Sequence, residues 1–250
     1  LDQKTKELLV APADNVTNFE GIQFLVENPY WEGAKISLYS AGEESIASMP
    51  NIKVGKFITQ VILQNIEVED IDLSNATDLR SAWVQNNPAL QKLDLSYSTI
   101  WGQGDKETEG NGTYGSSLMV LGCPILKEIK LPEKNELKAY RIDIECLDAL
   151  ETFDMSNVKM VAELSIGDLN KDFNLVYPEL TIFYSEDGYA GTYFACSENT
   201  FYRESTQAFL KANYTDIDPD DTVRRLGYTS SLSYDKNKGC RWRTLLNKQK

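Results

Sequence analysis

The sequence contains no histidine. That excludes the Ser-His-Asp and Cys-His nucleophile arrangements, His-ligated zinc and the commonest general base. No apolar run approaches the ~18 residues that a membrane-spanning helix needs. The four cysteines, Cys123, Cys146, Cys196 and Cys240, form no CxxC pair, so no metal or redox motif is suggested. Basic residues are scarce: 25 Lys and Arg against 38 Asp and Glu, a net charge of −13. That is the wrong sign for a protein whose main partner is nucleic acid. These absences leave a binding or structural protein, or an enzyme running only on carboxylates, Lys and Tyr.

The 250 residues are 42% hydrophobic and 25% charged, enough for a packed core in one large domain or two small ones. Charge is uneven. Residues 224–250 hold eight basic groups and one acid, Asp235; the segment carries +7 of the −13 total, so the first 223 residues carry −20. Such a tail touches an acidic surface or pairs with the protein's own acidic body. The chain opens Leu1-Asp2 and reads as a processed or shortened mature form. N-x-T sequons stand at Asn15, Asn75, Asn111 and Asn213.

One template recurs: apolar, two residues, apolar, one residue, apolar. It reads Ile58-x-x-Val61-x-Leu63, then Val68-x-x-Ile71-x-Leu73, Leu79-x-x-Ala82-x-Val84 and Leu90-x-x-Leu93-x-Leu95. It resumes at Gly115, Leu126, Leu137, Leu150 and Val161, with a worn copy at Leu180. Two phases alternate, one starting at 58, 79, 115, 137 and 161, the other at 68, 90, 126, 150 and 180. A full repeat is 21–24 residues where nothing is inserted. The last two apolar positions of each copy alternate with polar ones, as in a short strand with one buried face. One such strand cannot bury that face alone, but stacked copies bury a continuous ribbon. Second-phase copies end in turn residues: Asp72-Leu73-Ser74-Asn75, Asp94-Leu95-Ser96 and Asp154-Met155-Ser156-Asn157.

This pattern resembles leucine-rich repeats of the short bacterial surface type, as in internalin-like proteins and cell-surface proteins of Bacteroidetes. The closest stretches are NNPALQKLDLS (86–96) and CPILKEIKLP (123–132), and the resemblance covers roughly residues 58–186. It departs from the family in a 25-residue step and in Gly115 and Ala82, where Leu is expected. The resemblance implies a β-rich α/β solenoid, a superhelix of about five irregular turns. It also implies an Asn or Cys ladder eight residues after the first Leu, filled by Asn87 and Cys123, with Cys146 one position later. Cys196 and Cys240 in the C-terminal flank are available for a disulfide if the protein is secreted.

The expected organisation is an N-terminal cap at 1–57, the solenoid at 58–186 and a Tyr-rich C-terminal cap with the basic tail at 187–250. Within the first cap, Gln3–Val10 reads as a short helix and 33–42 as a worn strand with Ile36 and Leu38 inward. In the last, Glu204–Asn213 reads as a helix with Phe209 and Leu210 inward. The insertion WGQGDKETEGNGT (101–113) reads as a surface loop. Its Asp105, Glu107, Glu109 and Asn111 alternate as in a calcium loop with Gly110 at the turn, but the bidentate Glu is missing because that position is Ser116. A solvated acidic loop is the commoner meaning. No cofactor is expected, and calcium is the single candidate ion.

Taking the first-phase strands as the concave face, the central outward row is Ile62, Trp83, Met119, Arg141 and Ser165, with Gln85 in a flanking row. Trp and Arg are favoured interface anchors, and contiguous exposed apolar surface marks partner sites. The competing reading is that a flank or the 101–113 loop packs over these residues as core. The expected function is a secreted or cell-surface binding or adhesion protein, not an enzyme, that takes a protein or glycan ligand on this face. The alternative is a carboxylate-dependent polysaccharide-active enzyme using Asp143 and Glu163 on adjacent strands.

Overall fold

A computed structural model describes residues 7–11, 15–28, 35–40, 45–103, 115–134, 136–167, 169–170, 172–181, 185–186, 189–190, 193–213 and 243–245. The calcium-loop candidates Asp105, Glu107, Glu109 and Asn111 lie outside these residues, as do Cys240 and most of the basic tail. In chain order the elements begin with β1 (Glu7–Val10), α1 (Ile22–Val26), β2 (Lys35–Tyr39), β3 (Ala47–Ser48) and β4 (Ile52–Lys53). Next come β5 (Gln60–Gln64), β6 (Ile66–Glu67), β7 (Ile71–Asp72), β8 (Ser81–Gln85), β9 (Lys92–Asp94), β10 (Ser117–Leu121) and β11 (Glu128–Lys130). β12 (Leu137–Glu145), β13 (Thr152–Asp154), β14 (Val158–Ile166), β15 (Asn174–Val176), β16 (Ser185–Glu186) and β17 (Tyr189–Ala190) follow. The last elements are β18 (Tyr193–Cys196), α2 (Glu198–Phe201), α3 (Glu204–Asn213) and β19 (Arg243–Leu245).

The chain is strand-rich with few helices. One sheet holds β1-β2-β5-β8-β10-β12-β14-β18-β19, its first eight strands parallel and in chain order, with β19 antiparallel at the end. The strands after each main strand are short and pair in parallel with their counterparts: β3 with β6, β4 with β7, β9 with β11 and β13 with β15. Alternation puts Ile36 and Leu38, Val61 and Leu63, Ala82 and Val84, and Leu118 and Val120 inward. Ile142 and Ile144, and Leu164 and Ile166, continue the series, and all of these are buried. Each fully buried aliphatic chain contributes roughly 1.5–3 kcal/mol. The short strands face them with Ile52, Ile71, Leu93, Ile129, Phe153 and Leu175 in the same core.

The parallel pairing reaches into both flanks. β2 carries Ile36 and Leu38 inward, as expected, and β1 pairs with it in register, Leu8 opposite Ile36. The helix expected at Gln3–Val10 is therefore corrected over its described part to a strand. Non-local pairing to β2 outweighs any local helical tendency there. At the other end β18 pairs with β14, and α3 buries Phe209 and Leu210, as its sequence implied. Phe209 stacks on Tyr177 at 4.5 Å and meets Phe194 at 5.5 Å, which ties the helix to the last parallel strand.

The chain reversals after β5, β8, β10 and β12 use the left-handed backbone region. Asn65 (φ 55°), Asn86 (54°), Gly122 (64°) and Cys146 (53°) occupy equivalent positions in adjacent strands. Asn and Gly enter this region at little cost. The backbone N–H of Asn65 donates to Gln85 O, that of Asn86 to Leu121 O and that of Gly122 to Glu145 O, at 2.8–2.9 Å. Asn86 Nδ2 donates to Asn65 Oδ1 at 2.7 Å, so the row is bonded by side chains as well.

The next residue of each segment forms a buried ladder: Ile66, Asn87, Cys123, Leu147 and Leu169. Asn87 Oδ1 accepts from the N–H groups of Ala89 and Leu90, both at 3.0 Å. Cys123 keeps a free thiol, which burial pushes up to about 12. Cys146 is not in this ladder, contrary to expectation. It sits one residue earlier, at the left-handed position, and is disulfide-bonded. Cys196, which the sequence left available for a disulfide with Cys240, is a free, buried thiol.

The Asp turns form as read: Asp72, Asp94 and Asp154 each accept from the N–H of the Ser two residues on, at 2.8–3.0 Å. No helix among the described residues is long and apolar enough to cross a membrane. The ladder carries a test. Asn87→Ala leaves the buried N–H of Leu90 and the part-buried N–H of Ala89 without an acceptor, so urea denaturation should show a loss of about 1–3 kcal/mol. An unchanged midpoint would mean that Asn87 does not hold the reversal.

Candidate functional site

The outward residues of the main sheet fall into three rows set by strand register. The first contains Gln60, Ser81, Ser117, Arg141 and Glu163. The central row contains Ile62, Trp83, Met119, Asp143, Ser165 and Ala195. The third contains Gln64, Gln85, Leu121 and Glu145.

The expected row is corrected at one strand: Asp143, not Arg141, stands beside Met119. The template placed Leu137 as the first apolar residue of its unit. β12 is nine residues long and its register against β14 shifts between Leu137 and Lys138. Ala139 is the true start, with Ile142 and Ile144 inward and Leu147 eight residues on. Tyr140, read as inward, is half-buried at the side.

The face is less open than an anchor row requires. Ile62 and Met119 are buried, while Trp83, Gln85 and Arg141 are half-buried. Met119, Leu121 and Ala195 form a small apolar cluster separate from the main core, with Trp83 packed against it. The indole Nε1 of Trp83 is buried without a hydrogen-bond partner. A buried donor left in that state costs roughly 1–3 kcal/mol, and Trp83 is the large aromatic of the face.

Beside this cluster the row becomes charged. Asp143 is 1% exposed and Glu145 is fully buried on the same strand. Arg141 Nη2 donates to Asp143 Oδ2 at 2.9 Å, and Arg141 Nε lies 3.6 Å from Glu163 Oε2. One guanidinium therefore joins carboxylates from two adjacent strands. Tyr140 donates its hydroxyl to Glu163 Oε1 at 3.2 Å. Asp143 Oδ1 is buried without a partner. Glu145 lies across Gly167, where an added Cβ would stand 2.2 Å from Glu145 Cγ. Only glycine leaves room for that side chain at this point.

Burial pushes the Asp143 carboxyl up to about 6, with repulsion from Glu163 adding to it and the charge and hydrogen bond of Arg141 opposing it. The carboxyl can thus hold or release a proton near neutrality. Among the described residues no group of three or more His, Cys, Asp and Glu side chains is placed to hold a metal ion. The structure joins Asp143 and Glu163 through Arg141, with Glu145 two residues further along β12. Sequence reasoning had Asp143 and Glu163 but assigned Asp143 to the wrong row and passed over Glu145. The usable clue was Leu147, since counting back eight residues from a buried ladder position recovers the register.

The shift predicts a pH dependence. A carboxyl whose folded pKa is raised destabilises the fold once ionised, so stability is lost as pH rises through about 6 and regained on acidification towards 4. The opposite holds for Asp72, Asp94 and Glu128, whose carboxyls are lowered by hydrogen bonds and lysines and whose contribution fades only in more acid solution. Thermal melts should therefore show stability rising from pH 7 to 5, by about 1 kcal/mol, and Asp143→Asn should flatten that rise. An equal rise in the variant would assign it to another group. Comparison with family models, with curated proteins and with solved structures finds no match for this chain.

Proposed function

We propose that the chain is a leucine-rich-repeat solenoid of the short bacterial surface type with capped ends. On this reading it acts outside the cell, secreted or held at the surface, as a binding or adhesion protein without catalysis of its own. Its ligand is a protein or a glycan, taken on the outward face of the main sheet around Trp83, with Gln85 and Arg141 at the rim. The parallel strands in chain order, the left-handed reversals and the buried Asn87–Cys123 ladder support the repeat reading. The observation that carries the binding reading is the Trp83 patch: an aromatic with an unpartnered indole N–H, packed on Met119 and Leu121 away from the main core. Amphipathic aromatics of this kind are frequent anchors at interfaces.

A second reading rests on one observation, the Asp143 carboxyl raised to about 6 and joined through Arg141 to Glu163. A carboxyl that can be protonated near neutrality beside an ionised one is the pairing that carboxylate-driven hydrolysis of polysaccharides uses.

Two measurements separate these. On a glycan and protein array, Trp83→Ala should weaken the ligand at least tenfold, with circular dichroism unchanged. Loss of the fold in this variant would make Trp83 a core residue and move the binding face elsewhere. Polysaccharide turnover that disappears in Asp143→Asn or Glu163→Gln would establish the enzyme; under the binding reading, no polysaccharide is turned over.

A further inference from the structure

We propose that the cleft between the end of α1, the Gly55–Ile58 turn and the Ser74–Thr77 turn is a second binding site, for a neutral saccharide. The site is independent of the Trp83 face. It lies where the chain enters β5 and β8, while Trp83 points outward from the middle of β8. The cleft encloses about 430 Å³, within the roughly 300–1,000 Å³ range of small-molecule sites.

Its lining has the composition of a sugar subsite. Phe57 stands at the tip of a tight turn, closed by Ile58 N–H donating to Gly55 O at 3.3 Å, and is 49% exposed. A turn tip has no packing use for an aromatic, and solvent favours a polar residue there. The ring offers a flat apolar wall. Gly55 beside it adds no side chain.

Across the cleft, Asn75 is exposed, and its amide makes no hydrogen bond within the described residues. An amide presents a donor and an acceptor side by side. A pyranose has the complementary surface, with C–H groups on its faces and hydroxyls that both donate and accept around its edge. Charge decides against an ion. The two charged residues of the lining, Glu27 and Lys56, are exposed and opposite in sign, so the rim has no net charge.

The test is an amide-resolved NMR titration of the ¹⁵N-labelled protein. The probes are the methyl glycosides of glucose, galactose, mannose and N-acetylglucosamine, and the disaccharides cellobiose, lactose and chitobiose. At least one should shift the amides of Gly55–Ile58 and Ser74–Thr77 at millimolar concentration. Phe57→Ala should weaken that probe at least tenfold, Asn75→Ala several-fold, and Trp83→Ala should leave it unchanged. The proposal is overturned if no probe shifts these amides, or if Phe57→Ala binds as the parent does. Shifts confined to the strand around Trp83 would overturn it as well, while leaving the face reading of the function intact.

Discussion

Everything on this molecule's surface depends on the in-register parallel pairing of the main strands. Side chains alternate along a strand, so a slip of one residue would exchange the buried and outward sets. The pairing holds without a slip from β1 to β10, and among the described residues the only shift is the one in β12 against β14. The burial of Val61, Leu63, Val84, Leu118 and Val120 penalises any other register, because each would present an aliphatic chain to water. Backbone hydrogen bonding and apolar burial thus enforce the same alignment.

The chain reversals make that alignment repeatable. A parallel pair needs a crossover of a dozen residues or more, and the crossovers after β5, β8, β10 and β12 each start with one residue in the left-handed region. Asn65 and Asn86 enter it cheaply, Gly122 more cheaply still, and Cys146 does so as part of a disulfide. The ladder residue that follows is buried, so a polar occupant must be satisfied. Asn87 meets that demand at its Oδ1, which accepts from two backbone N–H groups, while its Nδ2 is left without a partner among the described residues; Ile66, Leu147 and Leu169 avoid the demand by being apolar.

The same rigidity explains how an unusual polar patch is held. Asp143 and Glu145 alternate with Ile142 and Ile144, so anchoring the isoleucines in the core leaves the acids no freedom to turn away. Arg141 and Glu163 then stand opposite each other in adjacent strands, and the guanidinium lies between two carboxylates. Removing charges from water is costly, and the Coulombic return only partly offsets it. The raised Asp143 carboxyl is the residue of that imbalance. A patch of this kind is a poor stabiliser.

Much of the main sheet was legible in the sequence because its signal is local. The L-x-x-L-x-L spacing, the Asp-x-Ser turns and the offset to Asn87 and Cys123 are all read within a dozen residues; the turns form, Asn87 and Cys123 are buried, and strands fall on the copies at Ile58, Leu79, Gly115 and Val161, while the copy at Leu137 is out of register. β1 was misread as helical because a four-residue strand draws its support from β2, about 28 residues away. Arg141 was placed in the central row because Leu137 satisfies the spacing as well as Ala139 does, and they are distinguished by pairing with β10 and β14 or by the eight-residue offset to Leu147, a ladder position recognised as such only once the chain is packed. The burial of Met119, Asp143 and Glu145, the disulfide at Cys146 and the contact of Glu145 over Gly167 were beyond local reading. Spacing determines which side of a strand a residue occupies, but neighbouring segments determine what lies over it, and that is settled only when the chain is packed.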